Sequence, residues 1–106
     1  MSQPTADRLA TSPVYVVIGA TGGIGSALCR QVASLDARLV VAARDPERLD
    51  ALAAETHAEA VPLDVTRSDK VDHCITRTVE RYGRVDGVAH CVGTLLLKPA
   101  HLTSRA

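Results

Sequence analysis

Five consecutive residues without a charge, Val14-Tyr-Val-Val-Ile18, run directly into glycines at positions 19, 22, 23 and 25. An uninterrupted run of this kind reads as a strand buried on both faces of a parallel sheet. Beyond the glycines, Ile24, Ala27, Leu28, Val32 and Leu35 recur at the spacing of one helix face. That spacing predicts a helix from about Gly23 to Leu35, with the glycines at the strand-to-helix turn.

Such a turn is suited to phosphate. The first turn of a helix carries unpaired N–H groups and the positive end of the macrodipole. Gly19 would allow the tight turn, Gly23 the approach of backbone to phosphate, and Gly25 the packing of helix on strand. Glycines alone mark many turns. Bracketed by a buried strand and an amphipathic helix, they point to dinucleotide binding. Thr21, Gly22 and Ile24 lie in the same stretch and join Gly19, Gly23 and Gly25 as candidate cofactor contacts.

A chain of 106 residues suffices for one small domain. It has no Phe and no Trp, so its core must be built from Val, Leu, Ile and Ala, which suits helices on a parallel sheet. Twelve basic and twelve acidic residues cancel, leaving no basic surplus for nucleic acid. Cys29, Cys74 and Cys91 have no metal or disulfide spacing and read as reduced thiols. No metal site is expected. No stretch resembles a signal peptide or a membrane span, so the expected compartment is the cytoplasm. Residues 1–12 read as a flexible lead-in and 13–106 as the folded unit.

Arg38–Ala43 reads as a second buried strand. A dinucleotide site for NAD usually places an acid about 20 residues after the glycines, on the ribose 2′-hydroxyl. Ala43 and Arg44 stand there instead. A guanidinium pairs with a 2′-phosphate that a carboxylate would repel, so Arg44 points to NADP(H). Asp45 leaves NAD open through a ribose contact. Asp45 also suits an N-cap, with Pro46 at the first helical position and Leu49, Leu52 and Ala53 on the buried face. Glu59–Leu63 reads as a third strand, which Pro62 assigns to a sheet edge. Residues 67–82 read as an amphipathic helix capped by Thr66 or Ser68 and closed by Gly83, and Val85–Cys91 as a fourth strand.

Gly19-x-x-x-Gly23-x-Gly25, Arg44-Asp-Pro-Glu-Arg-Leu49, Asp64-Val65 and Tyr82-Gly-Arg-Val-Asp-Gly-Val-Ala89 together resemble the short-chain dehydrogenase/reductase family. With Gly22, the glycines also satisfy the pattern of its longer members. Asp64-Val65 and the run at 82–89 favour the short members. His90 leans the other way. The resemblance implies that Asp64 and Val65 hold the adenine ring. It also implies that Cys91, Val92 and Gly93 lie near the cofactor, although the family's Asn-Asn-Ala-Gly is here His90-Cys-Val-Gly93. Cys91 reads as a buried inert thiol or a reactive one.

The fold so implied is α/β: a Rossmann-like, three-layer half-fold with a parallel sheet of about four strands in order 3-2-1-4 and flanking helices. The implied activity is hydride transfer between a nicotinamide, NADP before NAD, and a carbonyl or alcohol. The family's acid/base is the Tyr of Tyr-x-x-x-Lys, with a Ser and an upstream Asn. Tyr15 and Tyr82 are followed four residues on by Gly19 and Asp86, and the lysines are Lys70 and Lys98. No catalytic residue is assigned, and the chain is expected to be inactive alone as a truncated Rossmann domain.

Residues 94–106 resemble the family's loop after strand four, with Thr103 or Ser104 capping a helix. Strand four would then be an unpaired edge, leaving the chain marginally stable or self-associating. The alternative reading is a non-catalytic nucleotide-binding or partner-binding module, or a functionless truncated product. Longer relatives can form oligomers; this chain's own assembly is left open.

Overall fold

The Val14–Ile18 run forms the central strand β1, which pairs in parallel with β2 (Arg38–Ala43) on one side and β4 (Arg84–Val92) on the other. The computed structural model describes residues 12–92 and 94–103, with side chains through residue 91. The sheet is completed by β3 (Glu59–Pro62) and β5 (Thr94–Thr103), in the order β3-β2-β1-β4-β5. The four parallel strands thus follow the expected 3-2-1-4 order. Pro62 sits on the edge strand, where its missing N–H breaks no interior ladder.

Helices cover both faces. Val17, Val41, Ala43 and Ala89 form one core cluster with Cys29 of α1 (Gly23–Ala33) and Leu49, Leu52 and Ala53 of α2 (Pro46–Thr56). Val16, Ile18, Val40, Ala42 and Val85 form the other with Val71 and Cys74 of α3 (Ser68–Tyr82). Alternate residues of each strand feed opposite clusters, which is why the strands read as continuous apolar runs. Asp45 accepts from the amides of Glu47 and Arg48 with Pro46 first in the helix, as the sequence predicts. Gly83 ends α3 at φ 83°, in the left-handed region that glycine enters without a Cβ penalty.

Four expectations are corrected. Helix α1 ends at Ala33, and its buried residues are Gly25 and Cys29. Ile24, Ala27 and Leu35 are exposed. Periodicity weighs side chains, but α1 meets the turn after β1 through Gly25, which leaves Ile24 exposed, while Leu35 lies past the end of the helix. Neither Thr66 nor Ser68 caps α3; Arg67 holds the N-cap position without a side-chain bond. The Thr66 hydroxyl donates instead to Asp64 Oδ1, at 2.6 Å.

Residues 94–103 are a strand rather than a loop, and Thr103 ends it rather than starting a helix. Ser104, Arg105 and Ala106 lie outside the described residues, as do residues 1–11 of the lead-in; Ser12 is buried. Accordingly β4 is no edge. It pairs antiparallel with β5 from Val92↔Thr94 to Arg84↔Thr103, with a register shift between Val85 and Gly87. Among the described residues no helix is long and apolar enough to cross a membrane.

The half-buried Asp86 on β4 ties the start of β1 to the sheet. Its Oδ2 accepts from the Val14 amide at 2.8 Å, and Arg84 binds the same carboxylate through Nε at 2.9 Å and Nη2 at 2.7 Å. Removing it takes away the acceptor of the Val14 amide and the carboxylate that Arg84 grips through Nε and Nη2. Asp86→Ala is expected to lower unfolding free energy by about 1–3 kcal/mol, read as a lower urea midpoint at unchanged slope.

Candidate functional site

The glycine turn lies at the carboxyl end of β1, against the end of β2. The Ala42 carbonyl accepts from the amides of Gly19 at 2.8 Å and Ala20 at 3.1 Å. Gly19 has φ 80°, a conformation that penalises any residue with a Cβ. A Cβ at Gly25 would collide with the Gly19 carbonyl oxygen and lie 3.0 Å from Ala20 Cα. Helix α1 therefore approaches the turn only because Gly25 has no side chain. A Cβ at Gly23, by contrast, would meet no atom of the described residues within 4 Å beyond its own helix backbone and chain neighbours.

Gly22 is the N-cap of α1, with no side-chain capping bond, and no acid stands in the first turn. The first N–H groups of a helix have no intrahelical acceptor. The Gly22 amide donates to the Gly19 carbonyl at 3.4 Å; among the described residues no side chain caps the amides that follow, so they and the positive helix end are left to whatever approaches the turn. Ile24, more than half exposed, and Thr21, half-buried, flank this end. A phosphate fits such an arrangement, because Gly23 adds no bulk in front of the amides.

The other predicted residues gather along the same edge of the sheet. Arg44 follows β2, and its Nε lies 4.0 Å from Asp64 Oδ1 beyond β3. Their side chains are 67% and 43% exposed, so the pair is weak and leaves the guanidinium accessible. Leu63 N donates to the Ala43 carbonyl at 3.0 Å, which carries Asp64 and Val65 past the end of the edge strand toward Arg44. Asp64 Oδ1 also accepts from the Thr66 amide at 3.0 Å. The Thr66 hydroxyl and amide, then the nearby Arg44 and Arg67, hold the Asp64 carboxyl below its ordinary value.

Cys91 and Val92 end β4, the strand next to β1. Gly93 lies outside the described residues. Burial pushes the Cys91 thiol up, the direction of an inert thiol. Cys29 is pushed up to about 12, first by burial and then by Cys91, against the opposing charge of Arg30. Among the described residues no group of His, Cys, Asp or Glu could hold a metal ion.

Sequence reasoning passed over Arg48 as a site residue. It lies in the first turn of α2, and its Nη2 donates to the Thr21 carbonyl at 3.0 Å. Its only signal was its place in the first turn of the helix that follows Arg44. Arg48 and Thr21 line a cavity of about 250 Å³ between α1 and α2, which the Arg30–Glu55 ion pair also borders. A cavity of about 370 Å³ between β3 and α3, lined by Val61, Lys70, Cys74 and Arg77 among others, includes none of the predicted site residues.

The short chain dehydrogenase family pattern matches residues 13–106. A protein of Streptomyces violaceoruber named as a ketoacyl reductase of the granaticin polyketide synthase is 39% identical over 103 residues, covering 88% of this chain and 38% of the relative. An uncharacterized oxidoreductase of Staphylococcus aureus strain MRSA252 is 33% identical over 89 residues, covering 81% and 38%. Among solved structures, an actinorhodin polyketide ketoreductase variant with NADPH superposes with TM-score 0.72 at 31% identity, covering 79% of this chain and 34% of that one. A metagenomic short-chain oxidoreductase in complex with NADP gives 0.67 at 38% identity, covering 74% and 38%. This chain therefore spans less than two-fifths of these relatives.

The Asp64–Thr66 contact gives a pH test. A carboxyl with a lowered folded value contributes stability above its unfolded value and loses it as pH falls through the folded one. Thr66→Val is expected to raise the Asp64 midpoint toward the usual carboxylate range and to move the loss of this turn to higher pH. Carboxyl-carbon NMR titration of both proteins reads the shift.

Proposed function

This chain belongs to the short-chain dehydrogenase family, and from that premise we propose that residues 13–106 are the NADP(H)-binding half of an oxidoreductase. The observation that carries the reading is the amino end of α1: among the described residues no side chain caps it, its first turn holds no acid, and the place of a Gly23 Cβ is open. In this reading the amides of Gly23, Ile24 and Gly25 bind the pyrophosphate, beside Gly22, the N-cap, whose own amide donates to the Gly19 carbonyl at 3.4 Å. Gly19 sets the turn, and Thr21 flanks the phosphates. Asp64 and Val65 hold the adenine. Cys91, Val92 and Gly93 border the path toward the nicotinamide.

Three features favour a 2′-phosphate over a bare 2′-hydroxyl. Ala43, at the usual place of the acid, is buried and neutral. Asp45 Oδ1 is committed to the amides of α2. Arg44 presents an accessible guanidinium at the same corner. The NADP and NADPH bound by the two structural relatives agree with this choice. Bound NADP(H) would supply the hydride donor or acceptor, for a carbonyl or alcohol substrate. Tyr-x-x-x-Lys does not occur in the 106 residues, so their proposed part is cofactor binding. Three free cysteines fit a reducing, cytoplasmic setting.

Calorimetric titration of the chain with NADPH and NADH tests the reading. Gly23→Ala should leave thermal stability unchanged or raise it by up to about 1 kcal/mol. It should weaken both dinucleotides by about tenfold or more, since a methyl group would stand where the phosphate approaches. Unchanged affinity in a folded Gly23→Ala protein would remove the turn from the site. Arg44→Gln should weaken NADPH by about tenfold or more through loss of a charged hydrogen bond, with NADH nearly unchanged. Equal loss for both would overturn the phosphate role.

A further inference from the structure

We propose that Arg48 is a second guanidinium for the cofactor's 2′-phosphate, aimed by the Thr21 carbonyl. The inference rests on the NADP(H) reading above and adds a residue that neither the glycine spacing nor the end of β2 assigns.

The first support is charge that remains available. The nearby Arg30 is spent on Glu55, with Nε 2.6 Å from Oε2. Arg67, Arg81 and Arg84 likewise sit on Asp69, Glu59 and Asp86. Among the described residues Arg48 pairs with no carboxylate; its side-chain partner is a neutral carbonyl. The two acids of its own turn are Asp45 and Glu47. Asp45 turns Oδ1 to the backbone amides of Glu47 and Arg48, where the helix end offsets its charge, and Glu47 is exposed.

The second support is placement. The Arg48–Thr21 bond links residues 27 positions apart and joins the first turn of α2 to the glycine turn. A pyrophosphate at the start of α1 and an adenine at Asp64-Val65 require the ribose between them to pass the corner where Arg44 ends β2. Arg44 precedes the N-cap of α2, and Arg48 lies in the first turn of that helix, bonded to the glycine turn. The corner therefore lies between the end of β2, followed by Arg44, and the helix that carries Arg48.

The third support is pre-organisation. A guanidinium carries five N–H donors in a rigid plane. Thr21 takes one and orients the rest, so a phosphate meets a fork whose rotamer is already set. A phosphate monoester has three terminal oxygens and close to two charges at neutral pH, more than Arg44 alone can satisfy.

The test uses 2′,5′-ADP and 5′-AMP as probes, titrated calorimetrically into the 106-residue chain, the Arg48→Gln variant and the Arg48→Lys variant. The unsubstituted chain should bind 2′,5′-ADP more tightly than 5′-AMP. Arg48→Gln should weaken 2′,5′-ADP by about ten- to a hundredfold, the size of a lost charged hydrogen bond, while 5′-AMP changes by less than about threefold. Arg48→Lys keeps the stem and charge but not the fork, and should fall between the two. Equal weakening of both probes would make Arg48 a brace for the glycine turn and overturn the proposal, as would unchanged preference for 2′,5′-ADP. Should Arg48→Gln not fold, the Arg48→Lys ratio decides: full retention of the preference overturns the fork. A chain that binds both probes alike would overturn the NADP(H) reading itself, and the inference with it.

Discussion

Helix α1 packs tightly on the turn that ends β1, and it can do so because Gly25 has no Cβ. Any side chain there would run into the Gly19 carbonyl and the Ala20 backbone, groups that cannot rotate away. Much of the arrangement hangs on that contact. It goes with a rotation of α1 in which Cys29 enters the core while Ile24 is exposed. It also holds the amino end of α1 at the turn that ends β1. The double acceptance by the Ala42 carbonyl then fastens the turn to β2, so a change at the end of β2 is felt in the turn.

Charge along this edge is partitioned by local bonding. Asp45 is drawn to the amides of α2, Asp64 to Thr66, and Glu55 to Arg30. Each acid is thereby occupied by a partner of its own, and Arg44 and Arg48 are left as the cations with most freedom to meet an anion. Such exposed pairs contribute little to stability. Their consequence is to decide the sign of charge that the site presents.

The sheet reaches beyond the parallel half-fold. With β5 paired along β4 except at the register shift between Val85 and Gly87, that side of β4 is covered within the chain. Self-association through an unpaired β4 therefore loses its structural premise. Asp86 acts at the other end of β4, where it anchors the first residue of β1 across the sheet.

What the sequence alone determined was local or periodic. The buried strands follow from uninterrupted apolar runs, the ends of α2 and α3 from Asp45-Pro46 and Gly83, and the edge position of β3 from the missing N–H of Pro62. The positions of the glycines and of Arg44 were legible because each needs only its neighbours along the chain. What tertiary structure decided was every relation between distant segments. The face that α1 buries depends on how near a glycine lets it come. The strand at 94–103 was read as a loop because its bonds are made with β4, and Pro99 and Lys98 carry no strand signal of their own. The partners of Arg48 and Asp86 lie 27 and 72 positions away. No spacing rule reaches that far, since such contacts form only when packing of the sheet brings the ends of different strands together.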